Sequence, residues 1–202
     1  YTRQSTLESS IPRISRYKIS ASKFTTRYSK AYMMAQSDSS SKAPYRILFV
    51  CLGNICRSPL AEAIMRQLLA EDPASSSRIE VDSAGIGGWH QGQLADPRMR
   101  AHAARRGIEM THRARQIKDE DFDAFDLIIA MDDDNYDALR ELAPTLEQQE
   151  KVVRMADYLE QMPWDHIPDP YYGGASGFEL VLDLLTEGCT NLYHRCKAQS
   201  GK

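Results

Sequence analysis

From Tyr45 onward the sequence predicts an α/β fold: a single domain around a mostly parallel sheet, with helices covering both faces. Short β-rich runs alternate with stretches whose apolar residues recur every three or four positions. The chain's 202 residues are enough to bury one sizeable core. A loop rich in chemistry-bearing side chains follows the first strand-like run, the place where such folds put their ligands.

Residues 46–50 (RILFV) read as a strand of the buried type. A helix of roughly residues 59–71 follows, with Ala61, Ile64, Leu68 and Leu69 at helical spacing. Residues 79–82 are the second strand, and 97–106 a helix stopped by Gly107. Residues 127–131 are the third strand, followed by a helix over 132–142 capped by Asp132. Residues 152–155 make a short fourth strand. Near the end, Ser176 and Glu179 match a capping box, and Phe178, Val181, Leu182, Leu185, Cys189, Leu192, Tyr193 and Cys196 form an apolar stripe. That stripe predicts a last helix packed on the sheet, with Cys189 and Cys196 as core residues.

Residues 1–44 are different material. They hold eleven serines and eight Lys/Arg against Glu8 and Asp38, a balance of +6, so residues 45–202 carry −9 of the net −3. Without a sustained apolar period they cannot bury enough surface to offset the entropy of ordering. The expected organisation is a disordered basic tail over 1–44 and a folded domain over 45–202. Three readings of the tail stand side by side: a transit peptide to a plastid or mitochondrion, an untargeted flexible tail, or an over-extended reading frame, since the chain starts at Tyr1 and Met33 or Met34 could begin translation. Without targeting, the expected location is the cytoplasm.

The acidic domain argues against a nucleic-acid partner, which needs a basic face. The longest apolar run, residues 47–52, is far too short to cross a bilayer, so no membrane span is expected. Four cysteines (Cys51, Cys56, Cys189, Cys196) are too few for a disulfide-stapled secreted scaffold and suit a reducing compartment with free thiols.

The loop after the first strand reads Cys51-Leu-Gly-Asn-Ile-Cys-Arg-Ser-Pro59. It brings together a thiol, a small Gly53, an Asn54 tolerant of left-handed backbone, a guanidinium and a hydroxyl where a helix begins. Such a loop can aim several main-chain N–H groups at one anion, and the helix dipole adds to them. Arg57 can grip two oxygens of a phosphoryl group through its planar fork. A thiol in that positive field ionises more easily, and the thiolate is the nucleophile. The expected reaction is attack of cysteine sulfur on phosphorus. The nucleotide-binding loop is excluded, because its second Gly and its Lys are missing. A zinc site lacks its Cys-x2-Cys spacing.

The run from Val50 to Ala63, Val-Cys-Leu-Gly-Asn-Ile-Cys-Arg-Ser-Pro-Leu-Ala-Glu-Ala, resembles the signature of the low-molecular-weight protein tyrosine phosphatases, with their Cys-x5-Arg loop just after the first strand. Asp169-Pro-Tyr-Tyr-Gly173 resembles that family's general-acid segment. The likeness continues through Asp82-Ser-Ala-Gly85, Trp89, Thr111-His-Arg-Ala-Arg-Gln116 and Ala130-Met-Asp132, and covers roughly residues 45–197. It implies a four-stranded parallel sheet flanked by helices, and hydrolysis of phosphotyrosine and aryl phosphomonoesters through a phosphocysteine intermediate. Cys51 would be the nucleophile, Arg57 the phosphate clamp and Asp169 the general acid, then base. Leu52, Gly53, Asn54, Ile55, Cys56 and Ser58 would complete the phosphate-binding loop, with Ser58 donating to the Cys51 sulfur. Ser83 and His112 would support it together with Asn54, while Trp89, Tyr171 and Tyr172 would wall a slot for a phenyl ring. The resemblance implies no cofactor and no metal. It further implies phosphotyrosine-containing proteins as substrates, and the expected state is a monomer or weak self-association.

Several readings stay open at this level. Cys56 either packs or pairs reversibly with Cys51 against over-oxidation. Asp165 and His166 are nearby rivals to Asp169. The Asp132-Asp-Asp134 cluster suits a cation by charge, but a helix N-terminus favours carboxylates anyway. Gly87-Gly88 before Trp89 points to a loose rim, and Ile55 fits tyrosine-type rather than arginine-type relatives. An arsenate reductase on the same scaffold, or a phosphate-binding module without turnover, are the competing functions.

Overall fold

The computed structural model describes residues 43–76 and 78–200, so the expected tail lies, but for its last two residues, outside the described residues. Four strands form one sheet: β1 (Tyr45–Cys51), β2 (Ile79–Gly85), β3 (Leu127–Ala130) and β4 (Val152–Arg154). Their order is β2-β1-β3-β4 and every neighbouring pair is parallel. Opposite Cys51 stands Gly85, opposite Val50 Ala130, and opposite Ala130 Arg154, so all four carboxyl ends share one edge.

Among the described residues seven helices surround the sheet: α1 (Arg57–Ala70), α2 (Pro73–Ser76), α3 (Pro97–Arg105), α4 (Asp119–Ala124), α5 (Asp133–Leu142), α6 (Leu146–Glu150) and α7 (Ala175–Ser200), with a 3-10 turn at Met155–Tyr158. Alternation along β1 splits the core in two. Ile47, Phe49 and Cys51 face α1, α3 and α7, while Leu48 and Val50 join Phe122, Ile128 and Leu139 on the other side. Truncating Phe49, which is fully buried, would cost roughly 3–5 kcal/mol.

The expected elements are present, with three differences. β2 runs on to Gly85, because Ser83, Ala84 and Gly85 continue the ladder against Phe49, Val50 and Cys51 although their side chains have little strand propensity. The helix α7 begins at Ala175, so Ser176 lies inside it and is no cap; Glu179 instead meets His102, Arg105 and Arg106 of the α3 region. The α7 stripe lies against α1, where Cys189 Sγ approaches the Ala61 carbonyl at 3.6 Å. Short helices α2, α4 and α6 were not expected, although Thr145 and Gln148 form a reciprocal capping box at the start of α6.

Candidate active site

The site grows out of the β1–α1 junction. Cys51 closes β1 with 2% of its surface exposed, and the loop leaving it is sewn to the segment after β2: Ile86 N–H donates to the Cys51 carbonyl and Gly87 N–H to that of Leu52, both at 2.9 Å. The turn is made at Asn54, whose φ of 56° is left-handed. Its buried amide offsets that strain with four hydrogen bonds. Nδ2 donates to Ser58 Oγ and Ser83 Oγ at 2.9 Å each, and Oδ1 accepts from Arg115 N–H at 2.9 Å and His112 Nε2 at 3.1 Å. Gly85 lies directly beneath: a Cβ there would stand 3.0 Å from Asn54 N and from the Gly53 carbonyl carbon, so only glycine lets the loop come so close.

Inside this loop the main-chain N–H groups of residues 53–56 are hydrogen-bonded to no partner among the described residues. The first N–H groups of α1, from Arg57 and Ser58, have no intrahelical acceptor either, as at every helix start. These donors form an anion cradle.

Cys51 Sγ lies 3.1 Å from Ser58 Oγ. That hydroxyl accepts from Asn54 Nδ2 and has a single hydrogen for two acceptors, Cys51 Sγ and the Ala84 carbonyl at 3.1 Å. A negatively charged sulfur is the stronger acceptor, so ionisation of Cys51 draws that hydrogen to itself. Burial, joined by the charges of Asp96 and Cys51, pushes the Cys56 thiol far above its ordinary value. Cys56 is therefore kept protonated.

Arg57 is buried beside the sulfur and gripped on its outer edge. Nη1 donates to Asp132 Oδ2 at 2.5 Å and to the Ile167 carbonyl at 3.0 Å, and Nη2 to Asp169 Oδ2 at 2.7 Å. Nε has no partner. Burial opposes its charge, but Cys51, Asp169 and Asp132 more than compensate and raise its pKa. Asp169 also accepts the Tyr171 N–H through Oδ1 at 3.0 Å. The rival Asp165 pairs with His166 at 2.6 Å.

A second ring of polar groups braces Asn54 and Ser83. Glu62, buried on α1 one turn beyond Ser58, accepts from Ser83 Oγ at 2.6 Å and Arg66 Nε at 2.7 Å, and faces His112 Nδ1 at 3.0 Å. Burial alone would raise its carboxyl, but the hydrogen bonds from His112, Ser83 and Arg66 outweigh it and hold the pKa low. Arg115 links Asp82 to Asp121 through contacts of 2.8 Å each. Glu62, Asp82 and His112 come close enough to share a cation. Both His112 nitrogens, however, face oxygens of this network, Nε2 that of Asn54 and Nδ1 those of Glu62 and Asp82, so the three groups serve the loop.

The rim has two sides. Trp89, 70% exposed, stands between two contacts with the phosphate-binding loop: Gly87 on Leu52, and the His90 ring over Gly53. A Cβ on Gly87 would lie 1.9 Å from Trp89 Cζ3, so the indole lies against the glycine, which serves as a seat for the ring. In the segment of Asp169, Tyr171 and the almost fully exposed Tyr172 meet edge to face at 5.0 Å.

The expected loop residues, Ser83, His112 and Asp169 thus converge on one place. The sequence reading missed Asp132 as an Arg57 ligand, and Glu62, Arg115 and Gly85 as supports. The position of Asp132 just beyond the carboxyl end of β3 was the available signal.

Comparison with known proteins agrees with this geometry. Residues 46–202 match the family model described as low molecular weight phosphotyrosine protein phosphatase. The chain is 43% identical to a low molecular weight protein-tyrosine-phosphatase of Streptomyces coelicolor over 157 residues, covering 77% of this chain and 95% of that one. It is 39% identical to the human low molecular weight phosphotyrosine protein phosphatase over 148 residues, covering 73% and 93%. Its structure is similar to that of a protein tyrosine phosphatase from Entamoeba histolytica, with a TM-score of 0.73 and 40% identity over 77% of this chain and 99% of that one.

Proposed function

Since the chain belongs to the low molecular weight phosphotyrosine protein phosphatase family and is a protein tyrosine phosphatase, we propose that Cys51, Arg57 and Asp169 carry a two-step hydrolysis through a phosphocysteine. The observation that carries this reading is the gripping of Arg57 by Asp132 and Asp169 beside the Cys51–Ser58 pair, with Nε and the loop N–H groups free to donate.

In the first step the Cys51 thiolate attacks phosphorus and forms an S–P bond while the P–O bond to the tyrosine oxygen breaks. The proton held by Asp169 goes to that oxygen, so a neutral phenol leaves. Arg57 and the N–H groups of residues 53–58 balance the charge spread over the three equatorial oxygens. In the second step the Asp169 carboxylate takes a proton from water, the water oxygen bonds to phosphorus, and the S–P pair returns to Cys51 as thiolate. The Ser58 hydroxyl stabilises that thiolate both as nucleophile and as leaving group.

Two features weigh against the alternatives. A thiol relay for arsenate reduction needs accessible partners, and Cys189 and Cys196 are both buried in α7. A mere binding module needs no carboxylate paired with Arg57 at the mouth, yet Asp169 is there. The four free thiols favour a reducing compartment, and we take the cytoplasm as its site of action on phosphotyrosine-containing proteins.

The experiment is a single-turnover acid quench with labelled aryl phosphate. The native protein should yield phosphoenzyme that maps to Cys51, and Cys51→Ser should yield none. Continued turnover by Cys51→Ser would refute the nucleophile.

A further inference from the structure

Arg98, the second residue of α3, lies outside the reacting groups but connects them. Its guanidinium is fixed from one side by Asp96, the N-cap of α3: Oδ1 accepts from Arg98 N–H at 2.8 Å and from Nε at 3.0 Å, and Oδ2 from Nη2 at 2.7 Å. Asp96 is buried, and its own N–H donates to the carbonyl of Ile55 in the phosphate-binding loop at 2.8 Å. The position of Arg98 is therefore referred directly to that loop.

From there the guanidinium reaches two rings, with its carbon 5.3 Å from the centre of Tyr171 and 5.1 Å from that of Phe178. Phe178 is buried near the start of α7 and stacks on His102 at 5.3 Å, which makes it a fixed wall. Tyr171 belongs to the segment of Asp169, and its N–H is bound by Asp169 Oδ1. The contacts close a circuit: Ile55, Asp96, Arg98, Tyr171, Asp169 and Arg57, with both ends in the same loop.

We infer that Arg98 is a positioning residue for the general acid: by holding the ring of Tyr171 at a height set from the phosphate-binding loop, it fixes where Asp169 stands over the leaving oxygen. This rests on the reading of Asp169 as the acid. A planar, always-charged fork suits the task, because it can bind a carboxylate along one edge while its face lies on an aromatic ring. A lysine supplies the charge but not the two-edged geometry. The N-cap bond of Asp96 uses the Arg98 main chain, so it survives truncation of the side chain.

The test compares Arg98→Ala, Arg98→Lys, Asp169→Ala and the Arg98→Ala/Asp169→Ala pair on aryl phosphates that differ in leaving-group pKa, with melting temperatures measured alongside. A misplaced acid costs most where the leaving oxygen needs its proton. Arg98→Ala should lose roughly tenfold in kcat on phenyl phosphate but less than about threefold on a dinitrophenyl phosphate, with Arg98→Lys between native and Ala. In the Asp169→Ala background, removing Arg98 should change kcat by less than about twofold, since the group it positions is gone. Equal losses along the series, full multiplication of the two losses, or an effect confined to KM would each overturn the positioning role. If Asp169→Ala shows no leaving-group dependence, the acid assignment itself falls, a result distinct from any of these.

Discussion

Asp132 joins Arg57 to the start of α5: its Oδ2 lies 2.5 Å from Arg57 Nη1, while Oδ1 accepts the Asn135 N–H at 2.7 Å. One carboxylate both holds the Arg57 guanidinium and caps a helix, and substitutions can separate the two. Asp132→Ser keeps a capping oxygen on a side chain too short for Arg57, so kcat should fall by roughly tenfold to a hundredfold while the melting temperature stays near native. Asp132→Ala should lose the same activity and a further ~1 kcal/mol of stability in urea melts.

Asn54 combines a left-handed backbone with a fully used amide. Asn54→Gly and Asn54→Ala both remove the four hydrogen bonds, so both should lose most activity. Glycine accepts the backbone without strain, and Asn54→Gly should therefore be more stable than Asn54→Ala by roughly 1 kcal/mol in denaturant titrations. Equal stability would show that the turn relaxes once the amide is gone.

Gly87 seats the indole of Trp89. In Gly87→Val the ring must swing off the segment, which is inexpensive for an exposed side chain but moves the indole relative to the β1–α1 loop. The expected result is a KM for aryl phosphates raised roughly threefold to tenfold, the worth of one ring contact, with kcat nearly native. Tryptophan emission in a Trp164→Phe background should shift at the same time.

Glu179 ties α7 to α3 and should leave a signature in acid. Hydrogen bonding from His102, then from Arg106, holds its carboxyl down to about 2 from an ordinary 4.5. A carboxyl depressed in the folded state stabilises above its unfolded pKa, and that contribution is lost as pH falls through the folded one. Glu179→Gln should thus melt slightly below native at pH 7, and the gap should close between pH 4.5 and about 2. Because the group is half exposed, added salt should shrink the gap as well.

The first strand, the loop and the helix after it were legible because apolar period and loop composition are local signals. The same holds for Asp132 as a cap and for Gly107, which ends α3 at a φ of 74°. What stayed hidden depends on contacts between distant segments. Glu62 reads as an ordinary helical surface charge, and it is buried only because Ser83 and His112 arrive from elsewhere in the chain. Ser83, Ala84 and Gly85 form strand because β1 is beside them, against their own propensity. The stripe of α7 was plain, but that it lies on α1 could not be read from periodicity. The capping box expected at Ser176 is absent because α7 begins before it, at Ala175, and Glu179 meets His102, Arg105 and Arg106 of the α3 region instead.

Arg57 finds its two carboxylates 75 and 112 positions further along the chain. During synthesis Cys51, the loop after it and Arg57 all leave the ribosome well before Asp132 and Asp169 do, and domains complete as units rather than residue by residue. Until those later segments have emerged, the Arg57 guanidinium lacks both of the carboxylates that hold it. The order of residues along the chain thus works as a timer: the surroundings of Arg57 are completed only once the last third of the polypeptide is being made.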